Sequence, residues 1–151
     1  MATFKDRLKT DLTAAMRSRD ELRTATIRMA LTSITNAEVA GTHARELSDD
    51  DVIAILTKEA KKRREAAQAF RDGGRPDRAE REDAEAAVLA DYLPEPLSDD
   101  ELARLVDAAI AESGAESPRD MGKVMKLVQP RVAGRADGSR VAAAVKARLT
   151  D

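Results

Sequence analysis

The chain has 151 residues, 42% hydrophobic, 36% charged and 2% aromatic, with 26 Lys and Arg against 28 Asp and Glu for a formal charge of -2. These figures cap the architecture at one or two small domains, exclude a disordered chain, and single out no partner by net charge. The absence of cysteine excludes a disulfide framework, a thiol nucleophile and thiolate metal ligation, and it fits a reducing, cytoplasmic compartment.

Strand-forming residues are scarce, and Phe4, Phe70 and Tyr92 are the only aromatics, so Leu, Val, Ile, Met and Ala must build the core and an all-α fold is expected. The first twelve residues mix Lys5, Arg7 and Lys9 with Asp6 and Asp11. They read as no signal peptide, and no segment reaches the roughly 20 apolar residues of a membrane span, so neither export nor membrane association is expected.

From the N-terminus, Thr3 is an N-cap, and Phe4, Leu8, Leu12, Ala15 and Met16 form the stripe of a first helix ending near residue 17. Leu22, Ala25, Met29, Ile34, Ala37 and Val39 continue a helical pattern up to Gly41, which suits a left-handed terminating residue. Ser48 and Asp51 open a third helix as a capping box, with Asp49 and Asp50 where the helix dipole favours negative charge. That helix begins apolar at Val52, Ile53, Ile55 and Leu56. It then runs through Lys58, Glu59, Lys61, Lys62, Arg63 and Arg64, so its second half is expected to be largely solvated, with Glu59 pairing to Arg63. Gly73 and Gly74 stop it, and Pro76 starts the return helix of a long hairpin, in which Arg81 pairs with Asp77 or Glu85.

Pro94 and Pro96 break helical hydrogen bonding and place a domain junction there, giving an N-terminal helical domain over 1–93 and a small C-terminal three-helix domain over 94–151. In the second domain Ser98 and Glu101 complete a capping box ahead of Leu102, Leu105, Val106, Ala109 and Ile110. Gly114 closes this helix. Ser117 and Pro118 supply the cap and first residue of the next, which carries Met121, Val124, Met125 and Val128 to a break or kink at Pro130. The last helix begins at Asp137 and buries Val141, Ala144, Val145 and Leu149.

Charge divides unevenly across the second domain. Residues 94–118 hold one basic residue, Arg104, against seven acidic ones, a sum of -6; residues 119–151 hold eight basic against three acidic, a sum of +5. Arg119, Lys123 and Lys126 stand on one helical stripe opposite the apolar one, which is either a solvated face or a surface for a polyanion. The segment from Gly134 to Arg140, with Arg135, runs into a helix N-terminus. It reads either as an anion cradle or simply as a helix stop followed by an Asp137 cap.

Catalytic groups are few. The single histidine, His43, falls in a loop, no serine sits in a nucleophile elbow, and the carboxylates fall at helix starts and in surface pairs. No metal-ligand spacing or cofactor fingerprint occurs, so a non-enzyme without cofactor is expected.

The strings LRTATIRMALTSITNAEV over 22–39, EDAEAAVLADYLPEPL within 47–97, and DMGKVMKLVQPRVAGRADGSRV over 120–141 resemble the GatB/YqeY family across nearly the whole chain. Its stand-alone members are similar to the tail of the B subunit of the tRNA-dependent Asp/Glu amidotransferase, which amidates mischarged tRNA. The kinase site of that larger subunit lies in a domain with no counterpart here, and its ammonia comes from another subunit. The resemblance therefore implies tRNA contact without the chemistry. Family signature positions fall at Asp120 to Met125 and at Gly134, Arg135, Asp137 and Gly138; the basic residues common in the family at two further places are Thr35 and Ser139 here.

Taken together, residues and resemblance imply a non-catalytic accessory that contacts tRNA or another structured RNA through backbone phosphates, with Arg119, Lys123, Lys126, Arg131, Arg135 and Arg140 as the candidate contacts. The scarcity of aromatics argues against stacking on splayed bases. A competing expectation is a protein adaptor that docks on an aminoacyl-tRNA synthetase or an amidotransferase subunit through the 48–93 hairpin. That role requires an exposed apolar patch there.

Overall fold

A computed structural model describes residues 3–150, whose regular elements are helices, with no strand among the described residues. The helices are α1 (Phe4–Arg17), α2 (Glu21–Val39), α3 (Asp49–Asp72), α4 (Pro76–Ala90), α5 (Asp99–Ser113), α6 (Met121–Val132) and α7 (Gly138–Leu149), with a short 3-10 helix at Pro118–Asp120. The chain divides into two compact units between Leu93 and Pro94.

Helix starts follow local chemistry. At Thr3, Ser48 and Ser98 the hydroxyl accepts the backbone N–H of the residue three along, while the carboxylates of Asp6, Asp51 and Glu101 accept the cap residue's own N–H. Two otherwise orphaned donors are thus satisfied at each site, worth about 1 kcal/mol per cap.

In the first unit Leu8, Ile27, Ile34, Leu56 and Leu89 are completely buried. Each contributes roughly 1.5 to 3 kcal/mol by leaving water. Tyr92, just past α4, is buried against α1; its hydroxyl donates to Asp11 Oδ2 at 2.5 Å, and the Arg7 guanidinium lies over its ring at 4.8 Å. Two members of the expected apolar stripes do not join this core: Met16 is 44% exposed and Val39 58% exposed. Both sit in the last turns of their helices. Gly41 does not take the left-handed conformation expected of it, since α2 stops at Ala40 in right-handed geometry. The left-handed residue in this region is Arg19, at φ 60°, between α1 and α2.

The expected solvation of the second half of α3 holds for its outer face, where Lys62, Arg64, Glu65, Gln68 and Arg71 are exposed, and not for the face turned to α4. Ala60 and Ala67 of α3 and Ala79 and Ala86 of α4 are buried, and their small side chains let the two arms of the hairpin close on each other. Charge is drawn in with them. Glu59 is buried, accepts Ser33 Oγ at 3.2 Å, and pairs with Arg63 at 3.1 Å; Arg63 also faces Glu82 at 3.6 Å and Glu85 at 4.0 Å. The i, i+4 partner of Arg81 is Glu85 at 3.2 Å, whereas Asp77 pairs with Arg75 at 3.6 Å. The hairpin turn uses Gly74 at φ 75°, and Pro76 opens α4.

The second unit packs α5, α6 and α7 around Leu102, Val106, Val124, Val128, Val141 and Val145. Gly114 ends α5 in the left-handed conformation at φ 71°. Ser117 makes no side-chain cap; the Pro118–Asp120 3-10 turn leads into α6 instead, steadied by Asp120 Oδ2 accepting the Glu116 N–H at 3.0 Å. The break expected at Pro130 does not occur, because α6 runs on to Val132. Pro130 lies exposed in the last turn, where the missing N–H costs one hydrogen bond and the ring meets no packed neighbour. Two left-handed residues, Ala133 at φ 49° and Gly134 at φ 79°, then end the helix.

Candidate nucleic-acid interface

The face of α6 that bears cations is set by the face that bears valines. Val124, Val128 and Val132 are buried, and Lys123 and Lys126 project on the opposite, exposed side. Arg119 precedes them on the 3-10 turn, also exposed. Lys126 and Arg119 have no carboxylate within ion-pair distance among the described residues; Lys123 meets Asp120 at 3.8 Å across open solvent, its side chain 71% exposed.

Asp120 is held below its ordinary range first by the Glu116 N–H and also by Lys123. It therefore stays ionised near the lysine. Even with that carboxylate counted, the stripe carries a net positive charge.

The other three sequence candidates are placed differently. Arg131 is bound by Glu112 of α5. Arg135 Nε donates to the Glu95 carbonyl at 2.8 Å and its Nη2 lies 3.8 Å from Glu101, while the Leu97 N–H donates to the Arg135 carbonyl at 2.9 Å. This arginine pins the extended Pro94–Leu97 segment to the turn after α6. Arg140 reaches Asp99 at 2.8 Å. Arg148, which was not among the candidates, pairs with Asp107 at 3.1 Å. The acidic and basic blocks of the sequence are thus laced together, α5 supplying the carboxylates and α6, α7 and their connecting turn the guanidinium groups.

The start of α7 is already capped. Asp137 accepts the Arg140 N–H at 2.9 Å and the Ser139 hydroxyl at 2.6 Å, so a carboxylate occupies the place an external anion would take. Between the two expectations for this segment, the geometry follows the cap.

The signature glycines divide as well. Gly134 is needed for a left-handed turn, but Gly122 and Gly138 have ordinary backbone conformations, and a Cβ placed at either meets nothing within 4 Å. Nothing inside the unit requires glycine at 122, a helical position where it is unfavourable. Its consequence is a flat, exposed helix surface beside Lys123.

No group of three or more His, Cys, Asp or Glu residues is arranged to hold a metal ion among the described residues. No described helix is long and apolar enough to cross a membrane.

A family model described as Yqey-like protein matches residues 5–149. The chain belongs to that family. It is 32% identical over 133 residues to "Altered inheritance of mitochondria protein 41, mitochondrial" of Pyrenophora tritici-repentis, covering 86% of this chain and 71% of that protein. The like-named protein of Lachancea thermotolerans is 33% identical over 86 residues, covering 57% of this chain and 46% of its own length. An uncharacterized protein of Schizosaccharomyces pombe is 33% identical over 89 residues, covering 58% and 70%. Two of these names speak of mitochondrial inheritance and none of tRNA. The YqeY match nevertheless spans both units of the chain, so both belong to the shared architecture.

Proposed function

We propose that this YqeY-like protein is a non-catalytic accessory in translation that binds tRNA or another structured RNA through its sugar-phosphate backbone. The observation that carries the reading is the exposed stripe of Arg119, Lys123 and Lys126, two of them without carboxylate partners, beside the uncrowded Gly122. Lysines on a rigid helix supply phosphate contacts that carry no sequence information, and a helix surface without a Cβ admits a nucleic-acid backbone closely. Arg131, Arg135 and Arg140 are secondary in this proposal, since each is engaged by an acidic residue or a backbone carbonyl of its own unit. Any glutamine-dependent carbon-nitrogen ligase chemistry would belong to an amidotransferase complex, with this chain contributing RNA contact.

The test is a gel shift with tRNA comparing the parent with Lys123→Glu/Lys126→Glu. The double variant is expected to keep its helical circular dichroism and lose tRNA retention. The salt dependence of binding should fall by roughly 0.7 to 0.9 in slope for each phosphate contact removed. Retention equal to the parent's would overturn the assignment of this face. The adaptor alternative gains no support from the hairpin: among the described residues, the large apolar side chains left exposed are Met16 and Val39, both outside 48–93.

A further inference from the structure

Two of the three cations proposed to meet RNA are placed by the helix that carries them. Lys123 and Lys126 stand three residues apart in α6, and the buried valines behind them fix the side they face. Arg119 has no such support. It belongs to the Pro118–Asp120 3-10 turn, and the Ser117 hydroxyl that would ordinarily fasten the start of that turn makes no capping bond. A single 3-10 turn has poor hydrogen-bond geometry and does not hold itself rigid.

Asp120 supplies what is missing. It stands at the N-cap of α6, where an aspartate ordinarily accepts an N–H from the turn ahead of it, and it makes no such bond. Its Oδ2 turns back instead and accepts the Glu116 N–H at 3.0 Å, while its own N–H donates to the Ser117 carbonyl at 2.9 Å. Side chain and main chain of one residue thus clasp residues 116–120 into a closed turn with Arg119 inside it. The carboxyl is held below its ordinary range first by the Glu116 N–H and less by Lys123, so the clasp is its main bond. A carboxylate here is otherwise a disadvantage. Asp120 lies 3.8 Å from Lys123 and repels the phosphates that this lysine would meet.

We infer that Asp120 is a positioning residue of the RNA surface: by clasping the Glu116 N–H it holds Arg119 at the head of the Lys123 and Lys126 stripe, so that three cations meet the RNA backbone as one rigid array. This role rests on the RNA-binding reading of α6 and adds to it a group that touches no phosphate itself. The gain is preorganisation, because an arginine already held in place loses less freedom on binding than one carried by a loose loop.

The test is a double-mutant cycle in the full chain, read by tRNA gel shift over a series of salt concentrations. Asp120→Asn keeps an oxygen that can accept the Glu116 N–H and removes the charge, so it should bind tRNA roughly twofold to fivefold more tightly than the parent. Asp120→Ala removes the same charge and the clasp together. It should bind about fivefold more weakly than Asp120→Asn, with a salt slope lower by roughly 0.7 to 0.9, the loss of one phosphate contact. Adding Arg119→Ala should weaken Asp120→Asn by a similar factor and leave Asp120→Ala unchanged. Lys126→Ala should weaken both backgrounds equally, since α6 itself stays intact. Equal binding by Asp120→Asn and Asp120→Ala, or an Arg119→Ala effect of the same size in both, overturns the positioning role and leaves the RNA surface standing. A Lys126→Ala effect that also vanishes in Asp120→Ala overturns it in favour of a general loss of structure. Parent-like retention by Lys123→Glu/Lys126→Glu overturns the RNA surface itself, and the positioning role with it.

Discussion

The guanidinium of Arg140, in the first turn of α7, lies 2.8 Å from the carboxylate of Asp99 at the start of α5. Two helices whose sequences carry opposite charge are joined at the point where α7 would otherwise present both a cation and a free N-terminus to an anion. Asp137 also accepts the Arg140 N–H, so two carboxylates stand at that end of the unit. The α6 stripe is left as the open positive surface of this unit's central helix.

Removing the acidic partner should free Arg140. Asp99 is 96% exposed, so the pair is worth at most about 1 kcal/mol and Asp99→Asn should leave the thermal midpoint nearly unchanged. If RNA approaches α7 as well as α6, the same substitution should raise tRNA affinity by roughly twofold to fivefold at fixed salt, through the freed guanidinium and the lost negative charge. A gel-shift titration reads this directly. Unchanged affinity would confine the interface to α6.

Alkaline stability should be governed by Tyr92. Burial, followed by the bond to Asp11, raises its hydroxyl from 10.0 to about 12. Because the folded value lies above the unfolded one, the neutral hydroxyl stabilises the fold fully below pH 10, and that contribution is lost as the pH climbs from 10 to 12. Urea midpoints measured across that interval should fall for the parent. Tyr92→Phe should flatten the fall while costing about 1 to 3 kcal/mol at neutral pH, since Asp11 loses its donor.

Acid acts on the other set of groups. The capping carboxylates Asp6, Asp51 and Glu101 are all held below their ordinary values, Asp6 and Glu101 chiefly by a backbone N–H bond and Asp51 chiefly by the Ser48 side chain. A lowered folded value means stability that is present above the ordinary carboxyl range and is lost as the pH falls through and below it. Far-UV circular dichroism during acid titration should show helix loss in that range. Ser98→Ala should lower stability by about 1 kcal/mol at neutral pH, and Glu101→Gln should remove the acid sensitivity that this cap contributes.

Much of the helical plan is readable in the chain because the groups that decide it are close together. Ser48 and Asp51, or Ser98 and Glu101, are three residues apart and close their bonds within one turn whatever else the protein does. Pro130 shows where that reading stops. A proline costs a helix one bond, and whether the helix ends there depends on what the following turn packs against; Val132, two residues later, is buried and holds α6 together to its end. In α3 the charged run and its return helix are both legible, but not which residues of α3 the return helix covers: α4 covers Ala60 and Ala67 and brings Glu82 and Glu85 up to Arg63.

The candidate site divides along the same line. That Lys123 and Lys126 lie opposite the valines follows from helical periodicity, whereas Arg119 stands ahead of α6 on the 3-10 turn, outside that periodicity. Which arginines remain available did not follow. Arg140 meets Asp99 across 41 residues, Arg135 meets the Glu95 carbonyl across 40, and Arg131 meets Glu112 across 19. Residue order determined helices, caps and the amphipathic faces, because those depend on bonds within one or two turns. Tertiary structure alone decided how the charges are used, because a cation is free or paired according to which distant carboxylate the packing of the cores delivers to it.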